Sequence, residues 1–411
     1  MNNTDKEDIV LDANVLYESY KMALKASPMK ALTQKFEIDW LHNIAKIKEE
    51  LESGRYVPAK KTEFIIRERG KVRLIRASPM RDKVVQHALC DYVLLPAIRP
   101  KIIYDNYASL KHRGISMARK RFELMIHRFY RKHKTNQGYI LLMDFSGYYD
   151  NLRHDLVRAS VGRLINGPVS KKLFDSIVDS CKQDVSFLSD DEIARAYEGK
   201  YKALDYANVP KELRTGKKWL YKGMDIGDQI AQAVAIYFPT PIDYYMKIVR
   251  GEKYYGRYMD DSNDIHISKQ HLIDALREVK VIAASQGIIL NDKKVKILPL
   301  SKTFTYLQVK YFLTPSGRLV KRINPKRLTA MRRKLKKLHK MMLAGRRKFE
   351  SIYHLYNSWR KDYFRLMSKA QRRNMETLYN SLFSEEAKKY EEALQIRPRY
   401  RQIYWRSRSG T

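Results

Sequence analysis

The spacing of hydrophobic residues divides the chain into helical segments near both ends and strand-like segments in the middle. Apolar residues recur every three or four positions over residues 1–60 and 79–100, which predicts amphipathic helices. Between these helices, residues 63–76 form two short β-type runs joined by Arg69 and Gly70, which predicts a hairpin. From residue 325 onward the helical spacing returns in three successive stripes, so we expect a helical C-terminal part.

Short apolar runs in the middle of the chain predict strands. Residues 139–143 are continuously apolar, which is typical of a strand buried on both faces, and Asp144 ends this run. Residues 304–311 predict a further strand, followed by a turn at residues 314–317. Helices are expected around these strands, at residues 152–164, after the loop 223–229 and at 270–284.

Two adjacent carboxylates, Asp260 and Asp261, interrupt the apolar pattern. Ile265 and Ile267 alternate with polar residues after them, so we expect the aspartates at the tip of a hairpin. Adjacent negative charges repel each other, and a hard divalent cation such as Mg²⁺ would compensate them. The alternative is a solvated acidic turn. Asp144, at the end of a predicted buried strand, could complete a three-carboxylate site only through the fold.

A second pair, Asp190 and Asp191, offers a comparison within the same chain. It lies between Ser189 and Glu192, and Ser and Glu at this spacing are typical of a capping box at the start of a helix. We therefore expect metal chemistry at the first pair and helix capping at the second. The surrounding residues 183–222 are polar and irregular, which favours a surface insertion.

Charge is the strongest feature of the composition. Lys and Arg number 81 against 45 Asp and Glu, a formal net charge of +36. Such an excess favours a polyanionic partner, and nucleic acid is the usual one. The 29 tyrosines, interleaved with basic residues, could stack on bases. The alternative is a generally basic protein whose charges are merely solvated.

Cysteine and histidine usage argues against other kinds of site. Cys90 and Cys181 are far apart and the ten His are scattered, so we expect neither a disulfide framework nor a structural zinc. The polar N-terminus does not resemble a signal peptide, and no apolar run is long enough to predict a membrane span. These features favour a cytoplasmic protein.

The predicted hairpin at residues 63–76 is strongly basic. It could be an ordinary solvated edge or a clamp for a triphosphate, since Lys and Arg bind phosphate oxygens through charge-assisted hydrogen bonds. The residues alone leave both interpretations open. Its basic residues are Arg67, Arg69, Lys71, Arg73 and Arg76.

Five segments in order resemble reverse transcriptases. Residues 258–261, Tyr-Met-Asp-Asp, resemble the YxDD box of that family. Residues 144–150 resemble its first metal motif as found in bacterial and group II intron-like enzymes. The remaining three are residues 73–86, which resemble the fingers motif, 304–311, which resemble the primer-grip strand, and 325–385, which resemble the thumb.

The resemblance implies a right-hand polymerase of the α+β class, with fingers, a palm built on an antiparallel sheet and a helical thumb. It implies an RNA-directed DNA polymerase that extends a primer by two-metal nucleotidyl transfer. The expected domains are a helical N-terminal extension at 1–60, fingers at 61–138, a palm at 139–320 that carries the insertion 183–222 and interleaves with the fingers, a thumb at 321–385 and a basic tail at 386–411.

The resemblance also assigns roles to individual residues. Asp144, Asp260 and Asp261 would hold two Mg²⁺ ions, for which Mn²⁺ could substitute in vitro, and the Phe145 carbonyl would add a ligand. Tyr149 would exclude a ribose 2′-hydroxyl. The other residues expected to contact the dNTP are Lys71, Arg73, Arg76, Ile226 and Gly227. Those expected to contact nucleic acid are Tyr258, Met259, Lys310, Arg332, Arg333 and Lys336.

One departure from the family pattern concerns residues 226–232. Most members carry Gln-Gly, then three further residues, then Ser-Pro. Here Ile226 replaces the Gln and Gln232 replaces the Pro. The variant is similar to that of diversity-generating retroelements, whose enzymes copy a template RNA with errors at adenines, although Ala231 departs from the Ser usual there. Phage-defence reverse transcriptases also diverge in this motif, and an RNA-binding maturase-like protein is a further alternative.

The partners implied by the resemblance are a template RNA, a primer of RNA or DNA, and dNTPs. A basic accessory protein oligomer or another defence subunit would be an additional partner. The implied setting is the cytoplasm of a prokaryotic cell, with the protein encoded by the cell or by a phage.

Overall fold

The computed structural model describes residues 8–26, 29–68, 71–203, 205 and 209–406, with the backbone alone at residues 26, 68, 71, 211 and 395–406. The chain divides into two compact units, Met1–Pro299 and Leu300–Thr411. The predicted boundary between palm and thumb, at residue 320, lies inside the second unit, because the strands after residue 303 pack with the C-terminal helices.

The first unit begins with three helices: α1 (Ala13–Ala26), α2 (Ala31–Ile38) and α3 (Trp40–Glu52). They confirm the helical prediction for this region. Leu16 and Tyr20 of α1 and Ile44 of α3 are buried as their spacing predicts. Ile38 and Leu41 continue the apolar spacing of Ile44, which predicts that they share its buried face. Both are exposed instead, because the chain changes helix at Asp39.

The basic hairpin forms as predicted from β1 (Thr62–Glu68) and β2 (Lys71–Ala77), which pair antiparallel. Helical structure follows in α4 (Met80–Leu89), a π-helical turn (Cys90–Leu94) and α5 (Leu95–Ile98). Helix α6 (Ile115–His133) overlaps residues 104–121, whose many basic residues predict a template-facing surface, with a solvated helix as the alternative. From Ile115 onward the structure has the helix, and its apolar stripe, which includes Phe122 and Met125, is buried.

The middle of the first unit supplies the remaining elements, and the predicted strand and helices here are confirmed. They are β3 (Tyr139–Asp144), α7 (His154–Ser160), α8 (Pro168–Asp179), β4 (Gln183–Asp184), α9 (Asp190–Glu198), β5 (Trp219–Leu220), α10 (Gln229–Tyr237), α11 (Thr240–Tyr244), β6 (Gly256–Tyr258), β7 (Asp261–His266), α12 (Lys269–Ser285) and β8 (Lys296–Pro299).

Four of these strands form one antiparallel sheet in the order β6-β7-β3-β8. Strand β3 is central and pairs Asp144 with Asp261 of β7 at its end. Helices pack around the sheet and bury Leu141 and Met143 together with the apolar stripes of α8, α10 and α12. The two inner strands of the sheet, β3 and β7, therefore carry the predicted carboxylates Asp144 and Asp261.

The segment 183–222 is more ordered than predicted. Strands β4 and β5 pair, and α9 packs on them over a small separate core of Val185, Ala196, Tyr201 and Leu220. Ser189 and Glu192 form the predicted capping box, in which each side chain accepts from the other residue's backbone N–H. Asp190 and Asp191 accordingly lie in the first turn of α9.

Among the residues that the structure describes, the second unit contains an antiparallel sheet, three α-helices and a 3-10 turn (Phe364–Leu366). The single strand predicted at 304–311 is wrong: Leu307 and Gln308 both have positive φ, 43° and 71°, and divide it into two paired strands. The last helix crosses residue 386, where the tail was predicted to begin. The elements are β9 (Phe304–Tyr306), β10 (Val309–Leu313), β11 (Leu319–Ile323), α13 (Pro325–Leu343), α14 (Phe349–Tyr363) and α15 (Lys369–Arg406).

None of the helices in the described part of the chain is both long and apolar enough to span a lipid bilayer.

Candidate active site

Three predicted aspartates lie close together at one end of the central strands β3 and β7. Asp144 ends β3 and is directly paired with Asp261, the first residue of β7. The Phe145 backbone N–H donates to the Asp260 carbonyl at 3.3 Å, so the backbone of the third aspartate lies next to the end of β3. The pairing of β3 with β7 thus brings together residues that are more than a hundred positions apart in the sequence.

The Asp144 carboxylate is buried and already has two donors. Lys294 Nζ lies 2.5 Å from Asp144 Oδ2, and Asn291 Nδ2 donates to Oδ1 at 3.1 Å. Burial acts to lower the pKa of Lys294, but the bond to Asp144 and the charges of Asp144, Asp261 and Asp260 outweigh it, so this pKa is raised. The Lys294 ammonium therefore interacts electrostatically with all three carboxylates.

This donor set fits Mg²⁺. Carboxylate and carbonyl oxygens are the ligands that hard divalent cations prefer, and three negative charges in one place need more compensation than one lysine supplies. Lys294 is half-exposed, so its side chain can leave Asp144 without being buried elsewhere. Nothing in the sequence distinguishes Lys294 from the basic residues 293 and 296 beside it. Its proximity to Asp144 is a product of the fold.

The turn that presents Asp260 is held by an internal arginine. Tyr258 pairs with Asp261, which leaves Met259 and Asp260 as a two-residue turn, and Met259 has a left-handed φ of 54°. Arg257 donates to the Met259 carbonyl at 3.0 Å and forms a two-point ion pair with Asp243 at 2.8 and 2.6 Å. Arg257 and Asp243 are fully buried.

Tyr149, five residues after Asp144 in the sequence, interacts electrostatically with Asp260 and with Arg73 of the basic hairpin. It occupies a short helical turn after β3, is half-buried, and packs against the main core. Burial raises its pKa to about 12, with a further contribution from the negative charge of Asp260 and an opposing one from Arg73. Tyr149 is therefore within electrostatic reach of both, which brings together three of the residues predicted for the metals and the nucleotide.

Arg76 is engaged in the protein interior. Its guanidinium pairs with Asp225 and donates to the Cys181 carbonyl at 2.8 Å, and its side chain is only 11% exposed. Lys61 Nζ contacts Asp225 Oδ2 at 2.5 Å and Asp228 Oδ2 at 3.3 Å. These contacts favour a structural role for Arg76 over the predicted phosphate contact. The importance of Lys61 was not evident in the sequence.

The same ion pairs fix the loop that carries Ile226 and Gly227. The Asp228 N–H donates to the Asp225 carbonyl at 3.3 Å, which closes a four-residue turn. Gly227 occupies its third position with a φ of 108°, a conformation that only glycine adopts without strain. Because both end residues are anchored by buried ion pairs, the half-buried Ile226 is held at a defined height above the core.

Cys181, Asp225 and Asp228 bring three atoms of metal-ligand type within 4.8 Å of one another. Lys61 Nζ contacts all three, at 3.5 Å from the Cys181 sulfur, and Arg76 neutralises Asp225 as well. Burial raises the pKa of the Cys181 thiol to about 11, so it remains protonated at neutral pH. A metal would have to displace a buried ammonium, so this group is an ion-pair network.

The remaining predicted residues are distributed over both units. Arg73 is half-buried on β2, whereas the side chain of Lys71 lies outside the described part of the chain. Tyr258 and Met259 are half-buried at the turn. Lys310 lines a groove of about 770 Å³ in the second unit, with Phe312 and Arg365. Arg332, Arg333 and Lys336 lie on the outward side of α13.

A known protein family matches more than half of this chain. The family model described as reverse transcriptase (RNA-dependent DNA polymerase) matches residues 58–311. Among solved structures, the chain is similar to telomerase from Candida albicans in a complex with a three-way-junction (TWJ) fragment of telomeric RNA, with 9% sequence identity and a TM-score of 0.44. That match covers 71% of this chain and 50% of the telomerase chain, so the chain spans half the length of that protein. No curated protein sequence matches.

Proposed function

Because the chain belongs to the reverse transcriptase (RNA-dependent DNA polymerase) family, we propose that it is a right-hand polymerase that extends a primer on an RNA template. The observation that carries the proposal is the pairing of Asp144 with Asp261 at the end of the central strands, with Asp260 beside them. A pure RNA-binding protein would gain nothing from three carboxylates facing one volume beside a phosphate backbone.

Asp144, Asp260 and Asp261 would hold two Mg²⁺ ions, with the Phe145 carbonyl as a further ligand. When bound, such ions lower the pKa of the primer 3′-hydroxyl and neutralise the triphosphate and the departing pyrophosphate. The protein contributes the fixed β3–β7 register, which sets the separation of the carboxylates before substrate arrives. Preset geometry of this kind lowers the barrier because it need not be created during the reaction.

The incoming dNTP would lie over Tyr149. Arg73, whose charge already acts on Tyr149, would bind its phosphates, with Lys71 as a second contact from the same strand. The Tyr149 ring would occupy the space that a ribose 2′-hydroxyl needs, so that deoxyribose is selected by exclusion. In the second unit, Lys310 and the basic face of α13 would bind the duplex backbone.

The test is primer extension on a defined RNA by Asp144→Asn and Asp260→Asn variants. Each should reduce extension at least about a hundredfold, since loss of a metal removes several kcal/mol of stabilisation and about 1.4 kcal/mol is a factor of ten. Asp191→Asn, in the capping-box pair, is the matched control and should extend normally. Near-normal extension by a folded Asp260→Asn protein would refute the assignment.

A finer role concerns fidelity. We infer that the enzyme is error-prone and makes mutagenised cDNA in a diversity-generating retroelement of a prokaryotic cell or phage, acting in the cytoplasm with a basic accessory protein. Ile226 supports this, because it is held next to the nucleotide site but offers no hydrogen bond where most relatives have a Gln amide. Loss of one polar contact is worth about 1 kcal/mol, enough to change insertion ratios several-fold.

Deep sequencing of cDNA copied from one defined RNA tests this role. The wild-type enzyme should show excess errors opposite template adenines, and Ile226→Gln should reduce them. Ile226→Leu is the control, because it keeps an apolar side chain of equal size and should leave the error spectrum unchanged. If wild type shows no adenine bias, a phage-defence enzyme that makes templated or untemplated DNA becomes the better assignment.

A further inference from the structure

Residues 219–222 form an extended segment whose side chains alternate strictly between the interior and the surface. Leu220 and Lys222 point inward and are each 1% exposed. Trp219 and Tyr221 point outward and are 38% and 40% exposed. An alternation of this kind is the normal geometry of an extended strand, and it places the two aromatic rings side by side on one face.

The inward residues fix this orientation. Leu220 belongs to the small core of the insertion. Lys222 Nζ donates to the backbone carbonyls of Ala196, Tyr197 and Gly199, at 3.1, 2.9 and 2.7 Å, and so satisfies the C-terminal end of α9. If the segment were turned over, the Lys222 ammonium and the three carbonyls would lose their hydrogen bonds, which is costly for buried groups. The aromatic rings are therefore held at the surface.

Lys182, the residue directly before β4, lies over both rings. Lys182 Nζ lies 4.5 Å from the centre of the Trp219 ring and 5.6 Å from that of Tyr221. The Lys182 backbone carbonyl accepts from Arg76 at 3.3 Å, which ties this residue to β2. The nearest carboxylate of the strand pair, Asp184, is occupied by Ser186 and Gly216. Two aromatic faces and one positive charge thus form a compact surface.

The same chain segment leads from this surface to the candidate active site. Three residues beyond Tyr221, the Met224 N–H donates to the Tyr149 carbonyl at 2.9 Å. The chain then enters the turn that carries Ile226 and Gly227. Tyr221 is five residues from Ile226 along the chain. RNA bound on the aromatic surface would therefore lie near the proposed nucleotide site.

We propose that Lys182, Trp219 and Tyr221 bind the single-stranded part of the template RNA that has not yet been copied. Unpaired bases expose flat faces that stack on aromatic rings in any sequence, and the ammonium meets the phosphate between them. A duplex hides those faces, so it would not be bound here. The proposal rests on the proposed polymerase function and adds a site to it.

The experiment measures binding of a fluorescent, unstructured 12-nucleotide RNA without nucleotides or metal, in an Asp260→Asn background. Trp219→Ala and Tyr221→Ala should each weaken binding about fivefold, the effect expected for loss of one base–ring stack of about 1 kcal/mol. Trp219→Phe should retain most of the affinity. Tyr244→Ala, which removes an aromatic side chain that is 57% exposed at the end of helix α11, is the matched control and should have no effect.

Two outcomes would overturn the inference: unchanged affinity in the Trp219→Ala, Tyr221→Ala double variant, or an equal loss for single-stranded and duplex RNA. Circular dichroism of each variant checks that the fold is intact. Because the assay needs no catalysis, a failure here leaves the extension result untouched. Conversely, an Asp260→Asn protein that still extends primers would refute the polymerase assignment without affecting RNA binding.

Discussion

Asp150 illustrates how burial sets the behaviour of a single carboxyl in this protein. It follows Tyr149 directly, and burial raises its pKa to about 6, although Arg76, the Ala203 backbone and Arg73 act in the opposite direction. A raised pKa means that the folded protein holds this proton more tightly than the unfolded chain does. Ionisation of Asp150 therefore weakens folding as pH rises from about 4 to above 6.

The Asp150→Asn variant should be more stable than wild type at pH 8, and the difference should shrink as pH falls through 6 towards 4. Its expected size is about 1–3 kcal/mol, because each unit of pKa shift corresponds to about 1.4 kcal/mol. Chemical denaturation of both proteins at pH 4.5, 6 and 8 measures it. Asp191→Asn, at an exposed position, should show no such trend; a pH-independent difference for Asp150→Asn would contradict the assignment.

Individual site residues were predictable where their signal is local. Asp144, Asp260 and Asp261 follow from short patterns, because a strand end and a hairpin tip are set by a few neighbouring residues. Lys294 and Lys61 were not predictable in this way. Each acquires its role from a carboxylate about 150 or more positions away, Asp144 and Asp225 respectively, and nothing next to either lysine marks it.

At the level of elements, the hairpin that presents Asp260 depends on the buried pair of Arg257 and Asp243. Arg257 looked like one more basic residue in a basic chain, yet it is fully buried and supports the left-handed Met259. Removing one member of a buried ion pair leaves an uncompensated charge and typically costs about 3–5 kcal/mol. The turn should therefore fail before the strands do.

Asp243→Asn should destabilise the protein by about 3–5 kcal/mol and abolish most primer extension. Adding Arg257→Met should restore much of the stability, because no buried charge then remains. Extension should stay low in this double variant, since the Met259 carbonyl has lost its donor. Thermal denaturation and extension are measured together; parallel recovery of both would show that the pair supports stability alone.

Other elements show where local patterns mislead. The strand predicted at 304–311 has good β residues throughout, but Leu307 and Gln308 adopt left-handed backbone without any Gly, Asn or Asp to signal a turn. That turn is imposed by the pairing of β9 with β10, which is a tertiary effect. In α6 the buried apolar stripe is regular, but the charged residues on the other face obscured it. A helix was therefore only the alternative interpretation of the segment where α6 begins.

For the molecule as a whole, the net charge of +36 is the dominant physical property. A chain with this excess should bind RNA largely through release of counterions from phosphates, so that affinity falls steeply with salt. Arg332, Arg333 and Lys336 offer a local test of where this happens, because all three lie on the outward side of α13 around its buried Leu335.

Charge reversal of Arg332, Arg333 and Lys336 to Glu should reduce affinity for an RNA–DNA duplex and lower the slope of log K against log salt by about 2–3. Fluorescence anisotropy at 50–300 mM salt, on the order of the range where such slopes are linear, provides the measurement. Reversal of Lys25, Lys35 and Lys46, which lie on the N-terminal helices, makes an equal change in net charge as the control. Equal slopes for the two triple variants would place the duplex elsewhere.

The pairing of β4 with β5 determines where the sequence of this protein can vary in length during evolution. Gln183 pairs with Leu220 and Asp184 with Trp219. The two ends of the intervening segment, residues 185–218, are therefore held about 5 Å apart, the spacing of paired strands. A segment closed at its base behaves as a cassette. It can vary in length while Asp144 and Asp261 keep their register, as long as the α9 carbonyls that accept from Lys222 are retained. Lys182, Trp219 and Tyr221 flank this segment, so the proposed template surface would be inherited unchanged by each variant.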